Sequence, residues 1–180
     1  MIYDFVECVE LFGSQYLLKK AIKQKRIYKI KNGVYSTEKK PNDLEVFVKE
    51  YPNSVFTMES SLYYLGISDV VPDKYVIASD RDAFKLKKHN IKQFFMNREL
   101  VDIGVISINY LGTNIKLFNK ERMLIEAIRY KNKLPFDYYK DVINYYRNHI
   151  DEINISLVLE YLESFPKKQL ISKTIQLEVL

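Results

Sequence analysis

Cysteine and histidine are nearly missing from this chain of 180 residues: there is one Cys, at position 8, and there are two His, at 89 and 149. A single thiol forms no internal disulfide, and two distant imidazoles build no zinc site with it. A reducing, cytoplasmic setting with no metal and no cofactor is therefore expected. Glycine and proline are scarce, five of each, and all fall where punctuation between elements belongs, which excludes collagen-like repetition and low-complexity linkers. Long apolar runs are absent too. The longest uncharged stretch, Ile103–Ile115, has thirteen residues, too few to cross a bilayer. The opening MIYDFVECVE is acidic and lacks the apolar core of a secretion signal, so no membrane partner is expected. Only 6 Arg stand against 22 Lys, beside 19 Ile, 12 Asn and 15 Tyr, which reads as the habit of an AT-rich genome.

What is present is a core-forming composition, 47% apolar and 28% charged, and one uneven feature. Residues 14–40 carry nine basic residues against the single acid Glu38, a local +8, while the remainder of the chain nets −3. Blocks of this sign are the electrostatic footprint of phosphate-binding surfaces. A solvated lysine-rich face has the same composition.

Periodicity predicts a helix over 2–12, with Phe5, Val6, Val9 and Phe12 on one stripe. Gly13 stops it, and Ser14 caps a second helix from Gln15 to about Lys25. RIYKIKNGVYS then supplies two β-rich runs around Asn32-Gly33, a strong hairpin signal. Lys39-Lys40-Pro41-Asn42 marks the expected boundary between a unit of residues 1–40 and one of residues 41–180. Beyond it the pattern predicts a helix at 43–50, strands at 54–58, 74–79, 91–96, 103–110 and 115–118, and a short helix at 59–65. Asn119 opens an amphipathic helix to about Tyr130, with Met123, Leu124, Ala127 and Ile128 on its apolar stripe. Helices near 136–149 and 154–164 follow, and QLISKTIQLEVL stays ambiguous. The expected fold class is α+β: a minimal N-terminal winged helix-turn-helix, a mixed and mostly antiparallel sheet, then C-terminal helices.

On a helical wheel of residues 15–26, Leu17, Leu18, Ala21 and Ile22 fall together and face inward. Gln15, Lys19, Lys23 and Arg26 fall opposite, with Tyr16 and Lys20 beside them. Gln reads an adenine edge through two hydrogen bonds and lysines neutralise phosphates, so this face suits a major groove. Helix, Gly turn, basic helix and basic hairpin is the order of a winged helix-turn-helix. Lys29, Lys31 and Asn32 take the place of the wing. The candidate DNA-contacting set is Ser14, Gln15, Tyr16, Lys19, Lys20, Lys23, Arg26, Lys29, Lys31 and Asn32. The bland alternative is a helix and hairpin closing one side of a core with exposed lysines. Winged domains normally have a further helix before the turn pair, and here only about twelve residues precede Gly13.

Catalytic constellations are poor. Gly13-Ser14 with Asp80-Arg81-Asp82 evokes a nucleotidyltransferase, whose Gly-Ser lies about ten residues before Asp-x-Asp; here 66 residues separate them. Pro72-Asp73 lacks the Glu-x-Lys of a nuclease core, and no G-x-S-x-G, P-loop or Rossmann pattern occurs. Cys8 sits among acids that raise a thiol pKa. No catalytic residues are assigned, and the chain is expected not to be an enzyme. A metal-dependent enzyme on nucleic acid and a pure protein-interaction module stand as the rival readings. Arg122, Arg129 and Arg147, in so lysine-biased a chain, point to buried or bidentate pairing with Glu121, Glu126 or Asp141, or to a patch that faces nucleic acid or a partner. A second basic cluster, Arg81, Lys85, Lys87, Lys88 and Lys92, extends a DNA track or forms a solvated loop.

ESSLYYLGISDVVP at 59–72 resembles the AbiEi family, bacterial antitoxins of type IV toxin–antitoxin systems tied to abortive infection by phage. Ser60, Leu62, Gly66, Ser68, Asp69 and Pro72 match its pattern, while Ser61 and Ile67 depart mildly. Lys31-Asn32-Gly33-Val34-Tyr35 resembles the close of the family's wing, and Glu121-Arg122-Met123-Leu124-Ile125-Glu126 its Glu-Arg-x-Leu-x-Asp helix, with Glu126 for the usual Asp. KNKLPFDYYK, 131–140, continues the likeness. The resemblance implies a repressor of its own operon that binds inverted repeats in its promoter. It also implies a C-terminal domain that counters a nucleotidyltransferase toxin, with no stable complex between the two required.

Overall fold

The computed structural model describes all 180 residues, Met1–Leu180. They form two compact units, one of Met1–Asn53 with Leu111–Asn114, the other of Ser54–Tyr110 with Ile115–Leu180.

The first unit runs β1 (Ile2–Asp4), α1 (Phe5–Phe12), α2 (Gln15–Lys23), β2 (Tyr28–Lys31), β3 (Val34–Ser36) and α3 (Asp43–Glu50). Its sheet has the order β1-β3-β2, antiparallel throughout. The helix expected over 2–12 thus begins at Phe5, because Ile2, Tyr3 and Asp4 pair with Ser36, Tyr35 and Val34. Asp4 ends the strand and caps the helix: its carboxylate accepts from Glu7 N at 2.9 Å, and Glu7 reaches back to Asp4 N at 2.8 Å, a capping box. The hairpin forms around Asn32-Gly33 with Gly33 at φ +79, and a bulge between Lys29 and Lys31 shifts the register.

A small core of Cys8, Leu18, Ala21, Ile27 and Tyr35 holds these pieces. The helix stripe differs from expectation, since Val6 is exposed and Phe5 is partly so, leaving Cys8, Val9 and Phe12 as the packed side of α1. The unit also extends past the expected boundary at 40 to Asn53. The reason is α3, which packs on β1 and β3. Lys49 pairs there with Glu7 at 2.6 Å and Asp4 at 3.4 Å, so cutting at Pro41 removes a wall of this unit.

The second unit holds β4 (Val55–Phe56), α4 (Met58–Tyr64), β5 (Tyr75–Asp80), β6 (Ile91–Met96), α5 (Arg98–Val101), β7 (Val105–Tyr110) and β8 (Thr113–Phe118). It continues with α6 (Lys120–Arg129), α7 (Phe136–Asn148), α8 (Ile155–Leu162) and α9 (Lys168–Glu178). The ambiguous C-terminal stretch is therefore a helix. The sheet has the order β6-β5-β4-β8-β7. It is mixed, with β4–β5 antiparallel but β4–β8 and β5–β6 parallel. More parallel pairing occurs than expected because residues 81–90 carry the chain back along the sheet before β6. The core gathers on α6, whose Met123, Leu124, Ile125 and Ala127 are wholly buried, with α4, α7, α8 and α9 packed around it. The architecture is α+β, with helices toward both ends of the chain, an antiparallel sheet in the first unit and a mixed sheet in the second.

Candidate nucleic-acid interface

The junction between α1 and α2 takes two residues. Gly13, at φ +84, returns its N–H to Val9 O at 2.8 Å, a left-handed cap that a β-carbon disfavours. Ser14 then starts α2, its hydroxyl accepting from Leu17 N at 3.2 Å. That hydroxyl is committed to the cap. Leu18 and Ala21 are buried and Ile22 half-buried, as the wheel requires, and Gln15, Tyr16, Lys19, Lys20 and Lys23 are exposed. Leu17 departs from the expected inward set: it is 44% exposed, because a core of five residues closes on Leu18 and Ala21 without reaching it.

Tyr16 and Ile22 floor a shallow groove of about 480 Å³ rimmed by Lys19, Lys20 and Lys23. Lys25 follows in a left-handed conformation, φ +59, and is exposed. It lies within the basic run 14–40 and adds a cation to those of the candidate set. Arg26 lies 5.6 Å over the Phe12 ring, which ties it to the end of α1. On the hairpin, Lys29, Lys31 and Asn32 are exposed. Lys31 is engaged with Glu50 at 3.2 Å, whereas Lys19, Lys20, Lys23 and Lys29 make no ion pair. Asp4 and Glu7 are drawn off to Lys49: hydrogen bonding from its ammonium first of all holds Glu7 below the usual carboxylate range, and the Glu7 N–H does so for Asp4. The result is a face of free ammonium groups with little opposing charge.

The residues behind the catalytic alternatives have other occupations. Asp80 accepts from Asp82 N at 3.1 Å and meets Arg98 at 3.5 Å, a turn at the end of β5. No three His, Cys, Asp or Glu side chains converge as a metal site requires. Cys8 is fully buried, and burial first, then Asp4 and Glu7, push its thiol up. The His149 ring stacks on Tyr145 with centroids 4.2 Å apart, its Nδ1 2.8 Å from Tyr145 O.

Several motif residues of the second unit are scaffolding, while Asp69 and most of residues 131–140 are exposed. Ser60 Oγ accepts from Val76 N at 2.8 Å, and Ser61 Oγ donates to Phe118 O at 2.9 Å, so α4 is sewn to β5 and β8. Leu62 is wholly buried, and Gly66 ends the α4 segment at φ +70. Arg122 and Glu126 are both buried on α6 and joined at 2.6 Å, and Arg129 meets the same carboxylate at 2.8 Å. Arg147 instead donates to the Glu178 carbonyl at 2.5 Å, and Glu121 accepts from Asn154 N at 3.1 Å. In the second basic cluster Lys92 is paired with Glu59 at 2.9 Å, and Phe84 stands 94% exposed beside it in sequence. A scan of the sequence against protein-family models finds no match, and a search of curated proteins finds none.

Proposed function

We propose that this chain is a DNA-binding autorepressor and antitoxin of the AbiEi kind, acting on its own promoter and countering a nucleotidyltransferase toxin encoded beside it. One observation carries the DNA reading: the exposed face of α2, entered through the Gly13 turn, consists of Gln15, Tyr16, Lys19, Lys20 and Lys23 with no carboxylate paired to any of these lysines. Strand, helix, turn, helix and hairpin, with the sheet order β1-β3-β2, support a winged arrangement in which α2 enters the major groove and Lys29 follows the neighbouring backbone. The helix missing before the turn pair has a counterpart in α3, which follows the hairpin and covers β1 and β3.

The antitoxin half of the reading rests on the motif resemblance. Of its residues in the second unit, Ser60, Leu62, Arg122 and Glu126 are buried, whereas Asp69 and Phe136 stay on the surface. Replacing Lys19 and Lys23 with Ala should weaken binding to a promoter fragment about tenfold or more at low salt, since two phosphate contacts are lost. Both side chains are exposed, so circular dichroism should stay unchanged. Full affinity in a gel-shift titration of the double variant would remove α2 from the groove.

A further inference from the structure

The second unit holds a cleft of about 370 Å³ between β6 and the end of α6, lined among others by Met58, Glu59, Lys92, Phe94, Tyr130 and Lys133. Its walls are aromatic. Phe94 and Tyr130 meet edge to face, with centroids 5.1 Å apart. The Lys92 ammonium lies 5.0 Å over the Phe94 ring and the Lys133 ammonium 5.1 Å over Tyr130. Lys92 is neutralised by Glu59 at 2.9 Å, and Lys133 has no carboxylate partner, so the cleft carries one excess positive charge.

Unmet hydrogen-bonding capacity reaches the lining at Glu59. The buried side-chain polar atoms without a partner are Thr57 Oγ1, Glu59 Oε2 and Tyr138 Oη. The first two flank Met58 in sequence, and of the three residues Glu59 alone lines the cleft. Such orphans cost stability unless something fills them. Met58 itself sits at φ +44, a region that a non-glycine residue enters only when the surroundings force it, and such strain gathers at binding sites.

We propose that this cleft binds a nucleotide. The Phe94 ring face takes a flat base, the excess ammonium takes a phosphate, and Glu59 takes an N–H donor on the base edge. Aromatic carboxylates supply the plane and the charge but leave Glu59 Oε2 unfilled; sugar phosphates supply the charge and no plane. The Lys92 ammonium is itself open to solvent and such a contact is held weakly, so a base displaces it from the Phe94 ring and stacks in its place. Lys92 then turns to the phosphate, and Glu59 is released toward the base. The reading is independent of the α2 face.

Calorimetric and NMR titration of the full chain with AMP, GMP, CMP and UMP tests it, with ribose 5-phosphate and inorganic phosphate as controls. At least one nucleotide should bind about tenfold (~1.4 kcal/mol) more tightly than ribose 5-phosphate, with base protons shifted upfield by the rings. Lys133→Ala, an exposed change, should weaken nucleotide binding about tenfold and leave duplex DNA binding unaltered. Tyr130→Phe should keep binding, because the ring face is retained. A 5′-phosphorylated single-stranded tetranucleotide separates the sources: tighter binding than the free nucleotide assigns the cleft to a strand end, and equal or weaker binding assigns it to free nucleotide. Equal affinity for ribose 5-phosphate and every nucleotide, or Lys133→Ala binding as tightly as the parent, overturns the proposal.

Discussion

Arg122 spends every donor without meeting water. Its guanidinium bonds Glu126 through Nε at 3.0 Å and Nη2 at 2.6 Å and the Leu100 carbonyl at 2.8 Å, and lies 4.4 Å from the ring centroids of both Phe118 and Phe165. Breaking one partner of a buried pair leaves a charge stranded, so Arg122→Ala should cost about 3–5 kcal/mol in urea unfolding. Arg122→Lys should recover little, because an ammonium offers no planar fork to two rings and a carboxylate. Arg129→Ala should cost less, since Arg129 is partly exposed and Glu126 keeps Arg122. An equal loss for both arginines would show that Arg122 is not the centre of the cluster. Gly104 is bound to the same spot: a β-carbon there falls 2.7 Å from Arg122 Cβ and 2.9 Å from Asn119 Oδ1, at φ +74. Glu126 was legible as a partner from its four-residue spacing to Arg122. The stacking on Phe165 was not, because it joins residues 43 positions apart by way of α8.

At the scale of elements, local signals placed most helices, and long-range pairing decided the remainder. The caps at Ser14, Asn42, Asn119 and Asn154 all accept the backbone bond that their residue type favours. Ile2–Asp4 reads as helix locally and becomes a strand only because β3 lies beside it, which no nearby residue announces. The parallel neighbours β4–β8 and β5–β6 are equally invisible, since periodicity reports a strand and never its partner. The start of α1 carries a pH dependence. Asp4 and Glu7 have folded pKa values below their unfolded ones. Their contribution is therefore complete above the ordinary carboxylate range, about pH 4, and is lost as pH falls through the folded values. Both side chains are nearly half exposed, so the effect is modest. Thermal melts of the full chain should lose stability below about pH 4, and Lys49→Met should flatten that slope. A Lys49→Met variant with the parent's acid slope would contradict the pairing. Gly13→Ala meets nothing closer than Leu17 Cδ1 at 3.9 Å, so its cost is the left-handed backbone alone, about 1–2 kcal/mol.

Across the whole molecule, the sequence's uneven charge survives folding: Lys19, Lys20 and Lys23 of α2 stay unpaired, whereas Lys92, Lys120, Lys131 and Lys168 each meet a carboxylate. What charge alone missed is that the hairpin lysines are unequal, since Lys31 is held by Glu50 from α3 and Lys29 is not. A lysine that already has a carboxylate exchanges one partner for another on meeting phosphate, and gains less from the exchange. Each full phosphate contact lowers log affinity by about 0.9 per unit of log salt. Lys29→Ala should therefore reduce the salt slope by about one and weaken promoter and random DNA alike, because an ammonium carries no sequence code. Lys31→Ala should reduce the slope by less, and Glu50→Gln should steepen it by releasing Lys31. Gln15 is uncharged, so its loss should leave the slope unchanged and cost about 1–3 kcal/mol on the promoter only. Competition titrations at several salt concentrations separate the cases. Should Gln15→Ala, Lys29→Ala and Lys31→Ala all weaken both DNAs by one factor with one slope, then α2 does not read bases and the hairpin does not follow the backbone.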